Sequence, residues 1–159
     1  NLKFNIMTDL KVGDKIQSFK LAADDNSEID LSNYLGKKNI ILYFYPKDDT
    51  PGCTQEAKDF TSLHDQFIAK DAIILGVSKD GVKSHEKFKN KYDIPYNLLA
   101  DTELELCKYF NVYVQKSMFG KKYMGLERAT YLINKKGEIA KIWRKVKVTN
   151  HAQDVLNNI

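Results

Sequence analysis

The chain has 159 residues, a length that fits one domain with a buried core, and we expect a single domain over residues 1–159. Its formal charge of +4 comes mostly from lysines scattered among acidic residues, which is typical of a solvated surface and predicts no nucleic-acid-binding face. No apolar stretch is long enough to span a bilayer, and two cysteines exclude a disulfide framework or a cysteine-rich zinc site.

The N-terminal stretch has no charged region followed by a long apolar run, so we expect no signal peptide. Two cysteines are typical of a reducing compartment, where an unpaired cysteine is either an inert core residue or a reactive one. We therefore expect a cytoplasmic protein, or a nuclear or organellar one if a targeting segment has been removed upstream.

The first predicted elements are two short strands around a polar turn, in "SFKLAADDNSEIDLS". Two continuous apolar runs follow, Asn39 to Tyr45 and Ala72 to Ser78, and continuous apolarity indicates strands that are covered on both faces, as in a parallel sheet. Between them, apolar side chains recur at helical spacing from Ala57 to Phe67. This order predicts a right-handed strand–helix–strand unit.

Five further elements are predicted in the second half: a helix over 82–92, a short strand near 96–101, a short helix near 102–110, a strand hairpin over 129–146 and a last helix over 150–159. Asn150 fits the N-cap position of the last helix. A βαβ unit followed by ββα is the order of the thioredoxin fold. The predicted fold class is therefore α/β, thioredoxin-like, with a β-hairpin added at the N-terminus.

The stretch "YPKDDTPGCTQEAKDF" places Cys53 between a Pro-Gly turn and a predicted helix. Thr50 fits the N-cap, Pro51 fits the first helical position, and Gly52 lets the backbone approach closely. Cys53 then lies in the first turn, where unpaired N–H groups and the helix dipole favour the nucleophilic thiolate. On spacing alone, a structural turn with a buried cysteine explains "TPGC" equally well.

The residues after Cys53 do not complete a C-x-x-C motif, so a dithiol reductase is disfavoured. A more populated thiolate alone accelerates a reaction far less than the roughly millionfold gain of a specialised enzyme. Other groups must stabilise the charge that develops in the transition state. Thr50 and the loop amides are local candidates, and an arginine has to come from elsewhere in the chain.

The stretch "FYPKDDTPGCTQEAKDF" resembles the active-site loop of peroxiredoxins, and most closely that of the peroxiredoxin Q group, also called bacterioferritin comigratory proteins. The family motif Pro-x-x-x-Thr/Ser-x-x-Cys is matched by Pro46, Thr50 and Cys53. The family also uses an arginine from a later strand, which is matched by Arg128 in "GLERATYLI". The similarity covers nearly the whole chain.

The resemblance implies a thiol peroxidase that reduces hydrogen peroxide and organic hydroperoxides without a metal or bound cofactor. Cys53 would be the peroxidatic cysteine and would become a sulfenic acid. Thr50 would hydrogen-bond the thiolate and the peroxide, Arg128 would stabilise the thiolate and orient the substrate, and Pro46 would shield the sulfenic acid from water. Two interpretations of Glu56 stay open: it fixes the arginine, or it is a solvated acid in the first helical turn.

Recycling is where the chain departs from many members of this group, which carry a resolving cysteine five residues after the peroxidatic one or on the helix after the second strand. Lys58 stands at the first position, and residues 82–92 contain no cysteine. Cys107 has apolar neighbours and is expected to be a small buried hydrophobe. We therefore expect an external thiol such as thioredoxin, glutaredoxin or glutathione to reduce Cys53. A Cys53–Cys107 disulfide requires Cα atoms within about 7 Å.

A non-enzymatic peroxide sensor, or a redox-controlled binding module on the same fold, is the alternative function. The full set of Pro46, Thr50, Cys53 and Arg128 favours turnover, because a sensor needs only a reactive thiol. The three histidines are scattered along the chain, so no metal site is predicted. Small peroxides and the external thiol are the predicted partners of a monomer or weak dimer, with no nucleic acid or membrane among them.

Overall fold

A computed structural model describes residues 9–159; residues 1–8, and the expectation about a signal peptide that rests on them, lie outside this part of the chain. Its strands are β1 (Lys20–Ala22), β2 (Glu28–Asp30), β3 (Asn39–Phe44), β4 (Ala72–Ser78), β5 (Asn97–Ala100), β6 (Tyr113–Met118), β7 (Lys121–Leu126), β8 (Ala129–Ile133) and β9 (Ile139–Trp143). Its α-helices are α1 (Pro51–Ser62), α2 (His64–Ala69), α3 (Val82–Tyr92), α4 (Glu105–Tyr109) and α5 (His151–Asn157).

The central sheet has five strands in the order β5-β4-β3-β8-β9. Strands β3, β4 and β5 are parallel, while β8 runs antiparallel to both β3 and β9. This is the predicted order, in which a βαβ unit precedes ββα. The predicted N-terminal hairpin is confirmed as the antiparallel pair β1–β2. None of the helices in residues 9–159 is both long and apolar enough to cross a bilayer.

Both faces of the sheet are covered, as the continuous apolar strands predicted. Successive side chains of β3 alternate between two separate cores. The core on one face, here called the α4-side core, includes Leu42, Leu106 and Cys107. The core on the opposite face, the α1-side core, includes Tyr43, Cys53 and other side chains from α1, α3 and α5.

The sequence predictions needed correction at three places. The helical stretch after Cys53 is broken into α1 and α2 at Leu63, whose ψ of 2° departs from helical geometry. Asn150 occupies the N-cap position of α5, but its φ is 60° and its side chain makes no capping hydrogen bond. The antiparallel hairpin β6–β7 was not predicted, and it forms a two-stranded sheet of its own.

The register of β3 against β8 positions the predicted site residues. Phe44, the last residue of β3, pairs with Ala129, the first residue of β8. The segment after β3 leads into α1 and Cys53, and Arg128 immediately precedes β8. An antiparallel pair therefore brings these two segments to the same edge of the sheet although they are far apart in sequence.

Candidate active site

Cys53 lies in the first turn of α1, as predicted, and is only 2% exposed. The carbonyl of Thr50 accepts the first helical hydrogen bond from the Thr54 amide at 2.8 Å. The N–H groups of Gly52 and Cys53 therefore lie before the first hydrogen bond of the helix and have no helical carbonyl to donate to. Partial positive charge at this helix end surrounds a sulfur that is almost closed off from solvent.

Arg128 approaches Cys53 across 75 positions of sequence, which confirms the prediction that the two residues are close in space. Its Nη2 lies 3.5 Å from Cys53 Sγ, while its Nη1 donates to Glu56 Oε1 at 2.8 Å. Gly52 makes room for this arrangement, since a Cβ atom there would stand only 3.0 Å from Arg128 Nη2. The two terminal nitrogens of one guanidinium thus contact the Cys53 sulfur and the Glu56 carboxylate.

Glu56 is 1% exposed, so the interpretation of this residue as a solvated first-turn acid is wrong. Burial raises the pKa of Glu56 to about 7, against the opposing charge and hydrogen bond of Arg128. Its second oxygen, Oε2, has no hydrogen-bond partner among residues 9–159 and lies 4.0 Å from His151 Nε2. Burial lowers the pKa of His151 to about 4, and its Nε2 pairs with the Thr130 hydroxyl at 2.7 Å.

The other two predicted site residues lie on the loop between β3 and α1, and both are half-buried. Thr50 has extended backbone at the N-cap position, but its hydroxyl makes no capping bond and instead donates to the Lys47 carbonyl at 2.8 Å. The expected hydrogen bond from Thr50 to the thiolate is therefore not formed in this arrangement, and the expected bond between Thr50 and the peroxide stays a prediction. The shielding role of Pro46 also stays a prediction.

Comparison with known proteins agrees with this geometry. Residues 12–142 match the AhpC/TSA family. The chain belongs to the AhpC/TSA family. Peroxiredoxin Bcp of Bacillus subtilis is 47% identical over 150 residues, which are 94% of this chain and 95% of that protein. The chain is thus a peroxiredoxin of the Q/Bcp group, an enzyme of the thiol peroxidase type.

Solved structures of this group share the fold. The structure of peroxiredoxin Q from Xylella fastidiosa matches with a TM-score of 0.90 at 38% identity, over 94% of this chain and 95% of that one. A bacterioferritin comigratory protein of Xanthomonas campestris, studied for its alkyl peroxide reduction activity, matches with a TM-score of 0.83 at 41% identity, over 87% and 88% of the two chains. The predicted thioredoxin-like fold class is confirmed.

A buried polar network anchors the active-site loop of this peroxiredoxin to α3. Asp48 accepts from the Tyr45 hydroxyl at 2.6 Å, and its other oxygen pairs with His85 Nδ1 at 2.7 Å. The opposite ring nitrogen of His85 pairs with the Leu99 carbonyl at 2.9 Å. His85 is completely buried.

The same loop carries a second, exposed anchor. Asp49 has a φ of 56°, a left-handed conformation that aspartate tolerates better than most residues. Its carboxylate accepts from Lys91 Nζ and from the Tyr92 hydroxyl, both at 2.7 Å. Two adjacent aspartates therefore fasten the loop to α3, one by a buried contact and one by an exposed contact. The sequence analysis did not predict that Asp48 and Asp49 anchor the loop.

Asp48, Asp80 and His85 offer oxygen and nitrogen atoms within 4.8 Å of one another, a spacing that could hold a metal ion. These atoms already form hydrogen bonds with one another and with neighbouring protein groups. His85 Nδ1 pairs with Asp48, and Asp80 Oδ2 accepts from the Asp48 amide at 2.8 Å and from the Ser78 hydroxyl at 2.7 Å. Because each group has a protein partner, the arrangement is explained as a structural network.

Cys107 lies in the α4-side core, on the other face of the sheet from Cys53. It is fully buried, which confirms its prediction as a core residue. Burial, together with the adjacent Asp101 carboxylate, raises the pKa of the Cys107 thiol far above its usual range. A thiol held in its neutral form is a poor nucleophile toward a sulfenic acid.

Lys116 of β6 is a further basic residue beside the active site that sequence reasoning missed. Burial and the Arg128 cation lower the pKa of Lys116, against the opposing charges of Glu127 and Cys53. Its stem lies over Gly125 of the paired strand, where a Cβ atom would stand 3.3 Å from Lys116 Cδ. β7 ends at Leu126, two residues before Arg128, so the base of the β6–β7 hairpin borders the site.

Proposed function

We propose that Cys53 is the peroxidatic cysteine of an enzyme that reduces hydrogen peroxide and organic hydroperoxides. The observation that carries this proposal is the Arg128 guanidinium, held 3.5 Å from Cys53 Sγ by its 2.8 Å contact with Glu56. A cation fixed at this distance stabilises negative charge that develops around the sulfur during the reaction. The alkyl peroxide reduction studied in the Xanthomonas campestris relative supports the same substrate class.

In the first step the Cys53 thiolate attacks one peroxide oxygen, so that an S–O bond forms while the O–O bond breaks. The sulfur is oxidised to a sulfenic acid, and the leaving alkoxide or hydroxide takes up the proton that the thiol released on ionising. Negative charge moves from the sulfur to the leaving oxygen. Arg128 is already positioned beside the sulfur, so it stabilises this charge without reorganising.

The loop residues would orient the peroxide. The single hydroxyl proton of Thr50 is committed to the Lys47 carbonyl, so the oxygen offers lone pairs that can accept from a peroxide O–H. Pro46, half-buried directly after Tyr45, would limit the access of water to the sulfenic acid. These roles follow the family motif and the positions of the two residues on the loop.

We propose that an external thiol, such as thioredoxin, glutaredoxin or glutathione, completes the cycle. Its sulfur attacks the Cys53 sulfenic acid, water leaves, and a mixed disulfide forms. A second thiol then releases Cys53 and forms the reductant's own disulfide. Lys58 in the position of a nearby resolving cysteine, and the separation of Cys107 into the opposite core, support this one-cysteine mechanism.

Peroxide consumption in the presence of dithiothreitol tests the proposal. The wild type should turn over many times, Cys53→Ser should be inactive, and Arg128→Lys should lose most activity because lysine lacks the planar fork. Mass spectrometry after one equivalent of peroxide should find one added oxygen on Cys53, or a mixed disulfide if a thiol is present. Oxidation of Cys53 once per chain without turnover would contradict an enzyme and favour the sensor.

A further inference from the structure

Most of the exposed large apolar side chains among residues 9–159 lie on the β6–β7 hairpin. Phe119, in the turn, is 98% exposed, and Met118, Met124 and Tyr123 are 57%, 47% and 44% exposed. In residues 9–159, only Val12 and Ile68 are large apolar residues of comparable exposure elsewhere. Scattered apolar residues need no explanation, but four on one short hairpin indicate an interaction surface.

The turn itself is not optimised for folding. Phe119 has a φ of 52° and the following Gly120 a φ of 79°, the pair of left-handed conformations found in a tight hairpin turn. Asparagine or glycine is the favoured first residue of such a turn, and a bulky aromatic residue adopts this conformation at a cost. Phe119 is thus unfavourable for the turn and almost fully exposed. These two properties indicate that it contacts another molecule rather than stabilising the fold.

The hairpin is also basic. Lys116, Lys121 and Lys122 lie in it, and residues 113–126 contain no aspartate or glutamate. Two copies of this surface would bring lysines against lysines, which disfavours self-association through it. The charge instead complements a partner with acidic residues around an apolar face.

The base of the hairpin adjoins the segment that carries Arg128, which contacts Cys53. β7 ends at Leu126, two residues before Arg128, and Lys116 is near enough to Arg128 for its pKa to respond to that cation. The turn at Phe119 is three residues beyond Lys116, about 10 Å along the strand. A standard protein interface covers about 800 Å² per partner, a disc of about 16 Å radius, so an interface centred on Cys53 would reach the hairpin.

We propose that the β6–β7 hairpin is the docking surface for a protein reductant: a dithiol protein with an apolar face around its reactive cysteine and acidic residues beside that face. The inference rests on the proposed function, because only a thiol-recycled peroxidase needs a foreign cysteine at Cys53. Cys53 is 2% exposed, so the partner's sulfur must be oriented toward a nearly buried atom. Contacts with the hairpin supply that orientation for a protein, whereas a small thiol reaches Cys53 without them.

The reaction at this surface balances without any other reagent. One thiol of the partner attacks the Cys53 sulfenic sulfur, and water leaves with the thiol proton and the sulfenic hydroxyl group. The partner's second thiol then attacks the mixed disulfide, which releases the Cys53 thiol and leaves the partner oxidised to a disulfide. The hairpin contributes binding and orientation, not chemistry.

The test compares two reductants at saturating hydrogen peroxide, thioredoxin and dithiothreitol. The variant Met118→Ser/Phe119→Asn removes the apolar tip and places the favoured Asn-Gly pair in the turn, so the hairpin should remain folded. We expect kcat/KM for thioredoxin to fall at least about tenfold, with dithiothreitol-supported turnover unchanged. Ile68→Ser, which removes an apolar residue outside the hairpin that is as exposed as Met118, should leave both rates unchanged.

A charge variant tests the second feature of the surface. Lys121→Glu/Lys122→Glu should lower kcat/KM for thioredoxin further at low salt than at high salt, because screening weakens the interaction. An unchanged thioredoxin rate in the apolar-tip variant would overturn the proposal. So would loss of turnover with both reductants, or hairpin-dependent self-association or binding to anionic vesicles with normal thioredoxin kinetics.

The outcomes also separate this proposal from the proposed function. If wild-type protein fails to turn over with dithiothreitol, the peroxidase function itself is refuted. If it turns over with dithiothreitol, while neither thioredoxin nor glutaredoxin reduces it, the peroxidase stands and the protein docking surface is refuted.

Discussion

Gly52 supports the active site by lacking a side chain. Its backbone lies against the Arg128 guanidinium, and a methyl group there would stand 3.0 Å from Nη2. That nitrogen is the one directed at Cys53 Sγ, and the neighbouring nitrogen is held by Glu56. The arginine therefore has little freedom to give way without losing one of its two contacts.

The substitution Gly52→Ala should separate activity from stability. The added methyl group displaces Arg128, so we expect kcat/KM for hydrogen peroxide to fall by about tenfold or more. Stability should change by no more than about 1 kcal/mol in either direction, since the better helix propensity of alanine offsets the strain at the Arg128 contact. Urea unfolding and peroxide kinetics on the same samples check this, and an active, equally stable variant would contradict the role of the close contact.

Glu56 combines burial with an ion pair, and its titration should affect stability. Its pKa in the folded protein, about 7, is above the ordinary value of 4.5, so the folded chain binds this proton more tightly than the unfolded chain does. The cost of burying the carboxylate is therefore full above pH 7 and is relieved as the pH falls toward 4.5. The group makes the protein less stable at alkaline pH than at mildly acidic pH.

The matched variant for this titration is Glu56→Gln, which keeps an acceptor for Arg128 but does not titrate. We expect the free energy of unfolding of the wild type, relative to the variant, to rise by about 2 kcal/mol between about pH 8 and about pH 5. Urea titrations of both proteins at the two pH values measure it. A difference that is independent of pH, or of the opposite sign, would rule out a raised pKa at this position.

At the scale of elements, α3 holds the loop that shapes the peroxide site. Asp48 is fixed by the buried His85, whereas Asp49 is fixed by the exposed Lys91. Removing one partner of a buried pair leaves the other without compensation, while an exposed ion pair contributes little. The two anchors of one loop should therefore have very different energetic weights.

The pair His85→Ala and Lys91→Ala tests this difference. We expect His85→Ala to lower the free energy of unfolding by about 3 kcal/mol and to reduce peroxidase activity, because Asp48 loses its buried contact with the imidazole and the loop loosens. Lys91→Ala should change the free energy of unfolding by less than about 1 kcal/mol and leave activity near that of the wild type. Equal effects in the two variants would argue against a special role for the buried network.

The β6–β7 hairpin is the element that the sequence did not reveal. Its segment "YVQKSMFGKKYMGL" lacks a regular alternation of apolar and polar residues, because most side chains of both strands are exposed. Burial on one face normally produces the period-two pattern by which a strand is recognised, so an exposed hairpin leaves no such pattern. Only the Phe119-Gly120 turn hints at it, and phenylalanine is atypical there.

At the scale of the whole molecule, the central sheet separates the two cysteines. Cys53 packs in the α1-side core and Cys107 in the α4-side core, and the sheet lies between these cores. A disulfide between them would require part of the fold to open, which costs free energy comparable to local unfolding. The fold itself thus leaves Cys53 dependent on an outside thiol under the proposed mechanism.

Cys107→Ser should consequently retain most of the dithiothreitol-supported peroxidase activity. After one equivalent of peroxide, non-reducing peptide mapping of the wild type should find Cys53 as a sulfenic acid or joined to the added thiol, with Cys107 unmodified. Stoichiometric linkage of Cys53 to Cys107 would overturn the one-cysteine mechanism and require a large rearrangement of α1 or α4.

The sequence by itself determined the features that depend on neighbouring residues. The two apolar runs identified β3 and β4, and "TPGC" placed Cys53 at a helix start. Both features depend on the types of neighbouring residues, so a short stretch of sequence is enough to predict them. The family resemblance added Arg128, which no local pattern could have joined to Cys53. It also left the choice between two environments for Glu56 open.

Only the tertiary structure decided the contacts that depend on register and on the face of the sheet. Pairing of Phe44 with Ala129 brings Arg128 to Cys53, and the same packing buries Glu56, which sequence could not tell from a solvated acid. It also placed Cys53 and Cys107 on opposite faces of the sheet. Such contacts join residues far apart in sequence, so they are specified by the packing of the whole chain and not by the pattern of any one segment.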